Sequence, residues 1–99
     1  MGINNREKSA AAFAEALQVI PGGVNSPVRA PRSVGTTPLF VKEAKGAYIT
    51  DIDDNKFIDF CMSWGVFILG HNQEKVSKAA CDAVLRGSSY GIPTISETI

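Results

Sequence analysis

The sequence predicts an α+β fold: an N-terminal helix, an ordered loop, a three-stranded antiparallel meander and a second helix. Two observations support this expectation. Apolar residues recur with a helical period as far as Ile20, and the period changes to that of a strand around Leu39. A stretch rich in Gly and Pro separates the two patterns, which is typical of a loop. With 99 residues, the chain can form one small domain at most.

The composition of the chain excludes several classes of protein. Hydrophobic residues make up 44% of the sequence, which argues against disorder. Its apolar runs are far shorter than the roughly 20 residues that span a bilayer. Ten Lys and Arg residues balance ten Asp and Glu residues, so no basic field attracts nucleic acid. We therefore expect no nucleic-acid partner and no membrane partner, and the absence of a signal-peptide pattern favours the cytoplasm.

No pattern of residues predicts a metal site. Cys61 and Cys81 lack the Cys or His spacing of metal ligands, so we expect them to be buried free thiols. The acidic residues Asp51, Asp53 and Asp54 lack the remaining ligands of an EF-hand calcium loop. Turn formation explains them better, and we assign no metal ligand.

The first predicted helix covers residues 4–20. Its apolar stripe follows the helical spacing and consists of Phe13, Ala16, Leu17 and Ile20. Either Asn4 or Asn5 can cap the N-terminus, and Pro21 with Gly22 ends the helix.

The loop that follows, residues 21–29, carries a distinctive pair of side chains. Its Gly and Pro residues restrict the backbone, and a loop of fixed shape orders its side chains at low entropic cost. Ser26 offers a hydroxyl and Arg29 a guanidinium, which together suit an anion such as a carboxylate. The alternative is an ordinary Gly/Pro connector with an exposed Arg, and spacing alone favours that alternative.

Three short runs rich in β-branched and aromatic residues predict strands at 39–42, 47–52 and 57–60. Turn-like sequences separate them, at Lys45-Gly46 and at Asp53-Asp54-Asn55. Because such short connections join antiparallel neighbours, the strands are expected to form a meander.

An apolar stretch at residues 61–71 contains the only Trp and the only His of the chain. Trp64 beside Gly65 can present a flat face to a ligand, although a lone Trp more often packs in a core or an interface. His71 has no obvious Asp or Ser partner in the sequence. We therefore interpret it as a hydrogen-bonded residue near a helix start rather than as a catalyst.

The second predicted helix covers residues 72–86, with Asn72 as its cap and Gly87 after its end. Its buried stripe is predicted to consist of Val76, Ala79, Ala80, Ala83 and Val84. Thr94 and Glu97 then have the spacing of a capping box, which begins another helix just before the sequence ends. This pattern is typical of the front part of a larger protein.

Several segments together resemble one known family. They are Pro21–Arg29, Thr37–Phe40, Gly46–Tyr48, Ile58-Asp59, Ser63–Gly65, Ile68–His71 and Gly91–Thr94. In register and without gaps, they resemble the N-terminal part of the glutamate-1-semialdehyde 2,1-aminomutase family, a group of class III aminotransferase-like enzymes of fold type I. The run from Gly22 to Arg29 is the most specific segment, because it separates the aminomutases from their aminotransferase relatives.

The resemblance implies an isomerase that moves an amino group between neighbouring carbons and converts glutamate-1-semialdehyde to 5-aminolevulinate for tetrapyrrole synthesis. It implies that Arg29 holds the substrate carboxylate, that Ser26 assists, and that Trp64 packs against the carbon chain of the substrate. It also implies a homodimer and a cofactor, pyridoxal 5′-phosphate or pyridoxamine 5′-phosphate. The family's catalytic and cofactor-binding residues lie beyond residue 99, so the chain is expected to be one N-terminal segment, inactive alone, without the large cofactor-binding domain.

The chain departs from the family pattern at a few positions. Asp54 replaces a Gly, Val66 replaces a Pro, and Gln73-Glu74 replaces a His-Pro pair. These departures fit a divergent member or a copy under relaxed selection. Two alternatives stay open: the N-terminal segment of another class III aminotransferase, which the run from Ser26 to Arg29 disfavours, and a small non-catalytic interaction module.

Overall fold

The computed structural model describes residues 5–29 and 35–98. These residues form two long helices, α1 (Glu7–Val19) and α2 (Glu74–Arg86), and three strands, β1 (Val41–Lys45), β2 (Tyr48–Asp51) and β3 (Lys56–Ile58). Short 3₁₀ turns lie at Pro21–Gly23, Pro27–Arg29 and Ile95–Glu97, and a separate helical turn lies at Met62–Gly65. The predicted α+β order of helix, loop, meander and helix is confirmed.

The sheet has the strand order β1-β2-β3, and both pairs are antiparallel, which confirms the predicted meander. Lys45 pairs with Tyr48, so the first hairpin turns around Gly46. Gly46 has φ 57°, in the left-handed region that glycine adopts readily. β1 lies further along the chain than predicted, and its register shifts between Val41 and Glu43.

A carboxylate in the turn between β2 and β3 caps the N-terminus of α1. Asp53 accepts hydrogen bonds from the backbone N–H groups of Lys8 at 2.7 Å and of Ser9 at 2.8 Å. It also accepts a hydrogen bond from the hydroxyl of Ser9 at 2.6 Å. The first N–H groups of a helix have no partner within the helix, and the helix dipole favours an anion beside them. The turn therefore fixes the N-terminus of α1 to this end of the sheet.

Asp51 stabilises the backbone of the turn between β2 and β3. Its carboxylate accepts hydrogen bonds from the N–H groups of Asp53 at 3.0 Å and of Asn55 at 2.8 Å. The side-chain amide of Asn55 donates to Asp51 at 2.9 Å and to the carbonyl of Asn5 at 2.7 Å. Asp51 and Ser9 are fully buried. Turn formation, predicted for these acidic residues, is confirmed, and the turn also binds the helix.

The bounds of α1 fall inside the predicted range of residues 4–20. The side chain of Asn5 accepts a hydrogen bond from the N–H of Glu7 at 3.1 Å, as expected of one of the two candidate caps. The other candidate, Asn4, lies outside the described residues.

Gly23 determines how the loop after α1 returns onto the helix. It is buried, and a Cβ atom there would lie 2.4 Å from Cε2 of Phe13 and 3.2 Å from Cδ2 of Leu17. Two residues of the predicted apolar stripe thus lie against loop backbone. Gly22 beside it has a similar φ of 76° but open space where a Cβ would be. Both positions favour glycine for their backbone, and only Gly23 also has no room for a side chain.

The cap of α2 is Gln73, so the prediction of Asn72 is wrong. Asn72 has φ 50°, in the left-handed region, whereas Gln73 is extended, as the residue before a helix should be. Oε1 of Gln73 accepts a hydrogen bond from the N–H of Val76 at 2.9 Å. The end of the helix at Arg86, before Gly87, is as predicted.

Many apolar side chains remain at the surface. Within residues 5–29 and 35–98, no hydrophobic side chain is buried. The predicted stripe of α2 is uncovered, since Val76 and Val84 are more than half exposed, and Cys61 and Cys81 are exposed rather than buried. These predictions are wrong because the described elements place nothing over those faces. The Cα radius of gyration is 17.4 Å, against about 13 Å for a compact chain of this size.

Among the described helices, none combines the length and the apolar character that crossing a bilayer requires.

We expect Gly23→Ala to weaken the contact between α1 and the loop far more than Gly22→Ala does. Both variants place a side chain at positive φ, but only the first meets Phe13. This overlap should add a cost of about 1–3 kcal/mol to the backbone strain. Urea unfolding followed by far-ultraviolet circular dichroism measures the difference. Equal unfolding midpoints for the two variants would contradict the packing role of Gly23.

We also expect acid to release α1 from the sheet. Burial raises the pKa of Asp53, but the hydrogen bonds from Ser9 and Lys8 together hold this pKa below the ordinary value of 3.8. A carboxyl group with a lowered folded-state pKa stabilises the fold above its unfolded pKa. That contribution is lost as the pH falls through the folded value. Helical circular dichroism should therefore decrease at a pH below 3.8, and Asp53→Asn should reduce this transition. An unchanged transition in the variant would show that other groups control it.

Candidate functional site

A cationic groove lies between the end of α1 and the segment that leads into β1. It encloses about 720 Å³ and is lined by two arginines, Arg6 and Arg29. Its other walls are mostly apolar or carry a hydroxyl group, and they include Ile20, Val28, Thr37, Leu39 and Phe40. None of the described lining residues carries a negative charge. The groove therefore suits a small anion with a short carbon chain.

The structure brings two of the predicted site residues into one turn. The N–H of Arg29 donates to the carbonyl of Ser26 at 2.9 Å, which closes the 3₁₀ turn Pro27–Arg29. Arg29 is exposed and lines the groove, whereas Ser26 is half-buried and is not among the lining residues. The guanidinium is thus available to an anion, and the role of the Ser26 hydroxyl stays a prediction.

The third predicted site residue, Trp64, lies on the turn Met62–Gly65 and is not among the residues that line the groove. The backbone of this turn is left-handed: Met62, Ser63 and Trp64 have φ values of 46°, 54° and 61°, and Gly65 follows at 85°. Left-handed backbone costs roughly 1–2 kcal/mol for each residue that carries a Cβ. The indole of Trp64 is 75% exposed. No pattern in the sequence predicts this turn.

Asp59, which directly follows β3, holds the left-handed turn. One carboxylate oxygen accepts hydrogen bonds from the N–H groups of Cys61 at 2.8 Å and of Met62 at 3.0 Å. The other oxygen lies 2.7 Å from Nε2 of His71. His71 is thus a hydrogen-bonded residue near a helix start, as expected, but the expectation that it has no Asp partner is wrong. The hydrogen bond with His71 and the N–H of Met62 hold the pKa of Asp59 below its ordinary value.

His71 in turn joins this pair to the first hairpin. Its N–H and carbonyl form two backbone hydrogen bonds with Gly46, each at 2.9 Å. Its ring lies 4.8 Å from the ring of Phe67, measured between centroids. The side chains of Asp59 and His71 are each only 13% exposed. One signal in the sequence could have identified Asp59, because an Asp often accepts hydrogen bonds from N–H groups two residues further on.

The N-termini of the two long helices already have side-chain partners. Asp53 caps α1 and Gln73 caps α2. Near the end of the chain, the N–H of Thr94 donates to Oε1 of Glu97 at 2.9 Å, which confirms the predicted capping box. A phosphate group binds where such N–H groups are free. The long helices therefore offer no uncapped N-terminus to the phosphate of a pyridoxal cofactor. The described residues contain no cluster of His, Cys, Asp and Glu arranged for a metal.

Comparison with known proteins extends this picture. Residues 29–98 match the family model for class III aminotransferases. The chain is 55% identical over 94 residues to glutamate-1-semialdehyde 2,1-aminomutase 1 of Listeria welshimeri, an alignment that covers 95% of this chain and 22% of the relative. It is 53% identical over 87 residues to glutamate-1-semialdehyde 2,1-aminomutase of Desulfovibrio desulfuricans, with 88% of this chain and 21% of the relative covered. The chain thus spans about a fifth of the length of these curated relatives.

Solved structures give the same picture of the fold. A transaminase with PLP bound superposes with a TM-score of 0.82 at 37% identity, over 99% of this chain and 22% of that protein. A glutamate-1-semialdehyde aminomutase from Pseudomonas aeruginosa PAO1 superposes with a TM-score of 0.75 at 32% identity, over 88% of this chain and 19% of that protein. A variant of that aminomutase has also been solved in complex with PMP. The architecture expected from the sequence resemblance is therefore confirmed.

Proposed function

The chain belongs to the class III aminotransferase family, and we propose that it acts as the N-terminal, substrate-contacting segment of a glutamate-1-semialdehyde 2,1-aminomutase. The observation that carries this proposal is the groove around Arg29, which is cationic and has apolar walls. The identity of about half to the aminomutases of Listeria and Desulfovibrio supports the choice within the family. The whole enzyme would convert glutamate-1-semialdehyde to 5-aminolevulinate in tetrapyrrole synthesis.

In this proposal, Arg29 binds the carboxylate of the substrate. The guanidinium is planar and stays protonated, so it pairs with both carboxylate oxygens and fixes the direction of the carbon chain. The 3₁₀ turn that Arg29 closes with Ser26 limits its backbone freedom, which lowers the entropic cost of binding. Ser26 would add a hydroxyl donor, and Trp64 would pack against the carbon chain.

The cofactor of this enzyme would be pyridoxal 5′-phosphate or pyridoxamine 5′-phosphate, which supplies an electron sink when it is bound. The family resemblance implies that its binding site and the catalytic residues lie outside this chain, and the side-chain caps on both long helices are consistent with this. We further propose a homodimer in the cytoplasm, and the uncovered apolar faces of the segment are consistent with burial against the rest of such an assembly.

Two other functions have specific observations in their favour. An ω-transaminase from Sphaerobacter thermophilus superposes with a TM-score of 0.83 at 26% identity, so a class III aminotransferase of different specificity is the nearest alternative. The uncovered apolar surface also fits a small non-catalytic interaction module. Turnover of the semialdehyde separates the proposal from both alternatives.

To test the role of Arg29, this chain would replace the matching residues of the Listeria welshimeri aminomutase. We expect the hybrid enzyme to convert the semialdehyde. Arg29→Ala should then reduce kcat/KM by an amount equivalent to about 2–5 kcal/mol, as expected for a charge pair that loses one partner in a closed site. Arg29→Lys should restore only part of this loss, because an ammonium group cannot pair with both oxygens at once.

Arg86, at the end of α2 and outside the groove, provides the matched control. Arg86→Ala removes the same charge and should leave kcat/KM close to that of the parent hybrid. Unchanged kinetics in Arg29→Ala would rule out the carboxylate role. A folded hybrid that binds its cofactor but does not turn over the semialdehyde would argue against the aminomutase function itself.

A second prediction concerns this chain alone: it should form no specific complex with pyridoxal phosphate. A lysine that forms an imine needs a lowered pKa, whereas the hydrogen bond to Asp54 raises the pKa of Lys42. Visible absorbance, followed by borohydride reduction and mass spectrometry, tests for an imine, with the Listeria enzyme as the positive control. Stoichiometric labelling of one lysine would contradict the prediction.

A further inference from the structure

The turn Met62–Gly65 adopts a backbone that its own residues disfavour. Three successive residues that carry a Cβ lie in the left-handed region, and only the last residue of the turn is a glycine. Such a conformation persists only when surrounding contacts enforce it, and it is found most often at functional sites.

Asp59 supplies most of that enforcement. The N–H groups of Cys61 and Met62 both point to one oxygen of its carboxylate, at 2.8 and 3.0 Å. These two bonds fix the entry into the turn. On the other side, the N–H of Phe67 donates to the carbonyl of Met62 at 3.1 Å and fixes the exit.

The second oxygen of Asp59 is held in place by His71, at 2.7 Å from Nε2. His71 is itself attached to the first hairpin by its two backbone bonds with Gly46. The backbone beside His71 lies close to the hairpin, since a Cβ atom on the preceding residue, Gly70, would lie 3.1 Å from the backbone of Gly46. The pair of Asp59 and His71 therefore fixes the turn Met62–Gly65 relative to the sheet.

The turn displays an indole that the described fold does not cover. Trp64 is 75% exposed, while the pair beneath the turn is almost buried. We propose that Asp59 and His71 are positioning residues that hold the turn Met62–Gly65 left-handed, so that Trp64 presents a fixed apolar face to the carbon chain of a small carboxylate substrate. This inference rests on the proposed function. In this proposal, neither Asp59 nor His71 contacts the substrate.

The first test uses the chain itself and needs no activity. Trp64 is the only Trp in the sequence, so the tryptophan bands of the near-ultraviolet circular dichroism spectrum report this one side chain. Asp59→Ala should abolish these bands, because the indole loses its fixed orientation. Asp59→Asn should retain part of the signal, since its amide oxygen can still accept the two N–H bonds.

Asp53→Ala is the matched control. Asp53 also accepts hydrogen bonds from two neighbouring N–H groups, but it holds α1 and not the turn. Its removal should reduce the far-ultraviolet helical signal and leave the tryptophan bands in place. Loss of the bands in both variants would show general unfolding and overturn a specific positioning role.

The second test uses the hybrid enzyme and a double-mutant cycle. Trp64→Ala should raise KM about tenfold, the size expected for one aromatic packing contact, and should change kcat less. Asp59→Ala should raise KM by a similar factor. The double variant Asp59→Ala/Trp64→Ala should be no worse than Trp64→Ala, because both changes remove the same contact.

Additive effects in this cycle, or tryptophan bands that persist in Asp59→Ala, would overturn the positioning role. Neither result bears on the aminomutase function, which fails only if the parent hybrid itself does not turn over the semialdehyde. The two proposals can therefore fail separately.

Discussion

The hydrogen bonds between Asp53 and the N-terminus of α1 are the interaction on which the arrangement of this segment depends. An amphipathic helix is normally held to a sheet by its buried apolar face. Here Leu17 is half exposed, and the buried residue of α1 is Ser9, which binds Asp53. Ala16 and Ile20, in α1 and directly after it, line the groove of Arg29, so the helix held by this polar contact forms one side of that groove.

Asp59, which follows β3, has the same role as Asp53, which precedes it: its carboxylate fixes the position of a neighbouring element. Each carboxylate accepts hydrogen bonds from two successive N–H groups and has a further side-chain partner. Such bonds are directional, so they fix the position of an element even where no apolar core is present. Local rules point only to the bonds from Asp59 to the N–H groups that follow it. They do not predict the contacts of Asp53 with Ser9, 44 residues away, or of Asp59 with His71, 12 residues away.

What the sequence did predict follows from local rules. The helices and the order of the strands follow from apolar periodicity, and the turn at Ser26 and Arg29 follows from its Gly and Pro residues. The left-handed turn could not be predicted in this way, since Met, Ser and Trp all disfavour that backbone. Residue type alone also misplaces the cap of α2. Asn72 is a good cap by type, but it has φ 50°, and the extended residue before the helix is Gln73.

The departure at Asp54 shows how a change from the family pattern can be accommodated. Asp54 has φ 69°, so it retains the left-handed backbone that a Gly would adopt there more easily. In return, its carboxylate pairs with Lys42 and lies 3.5 Å from Nζ of Lys8 on α1. Hydrogen bonding and charge from Lys42 keep its pKa below the ordinary value, so the group is ionised near neutral pH. The substitution thus preserves the shape of the turn and adds a second charged contact to the helix that Asp53 already binds.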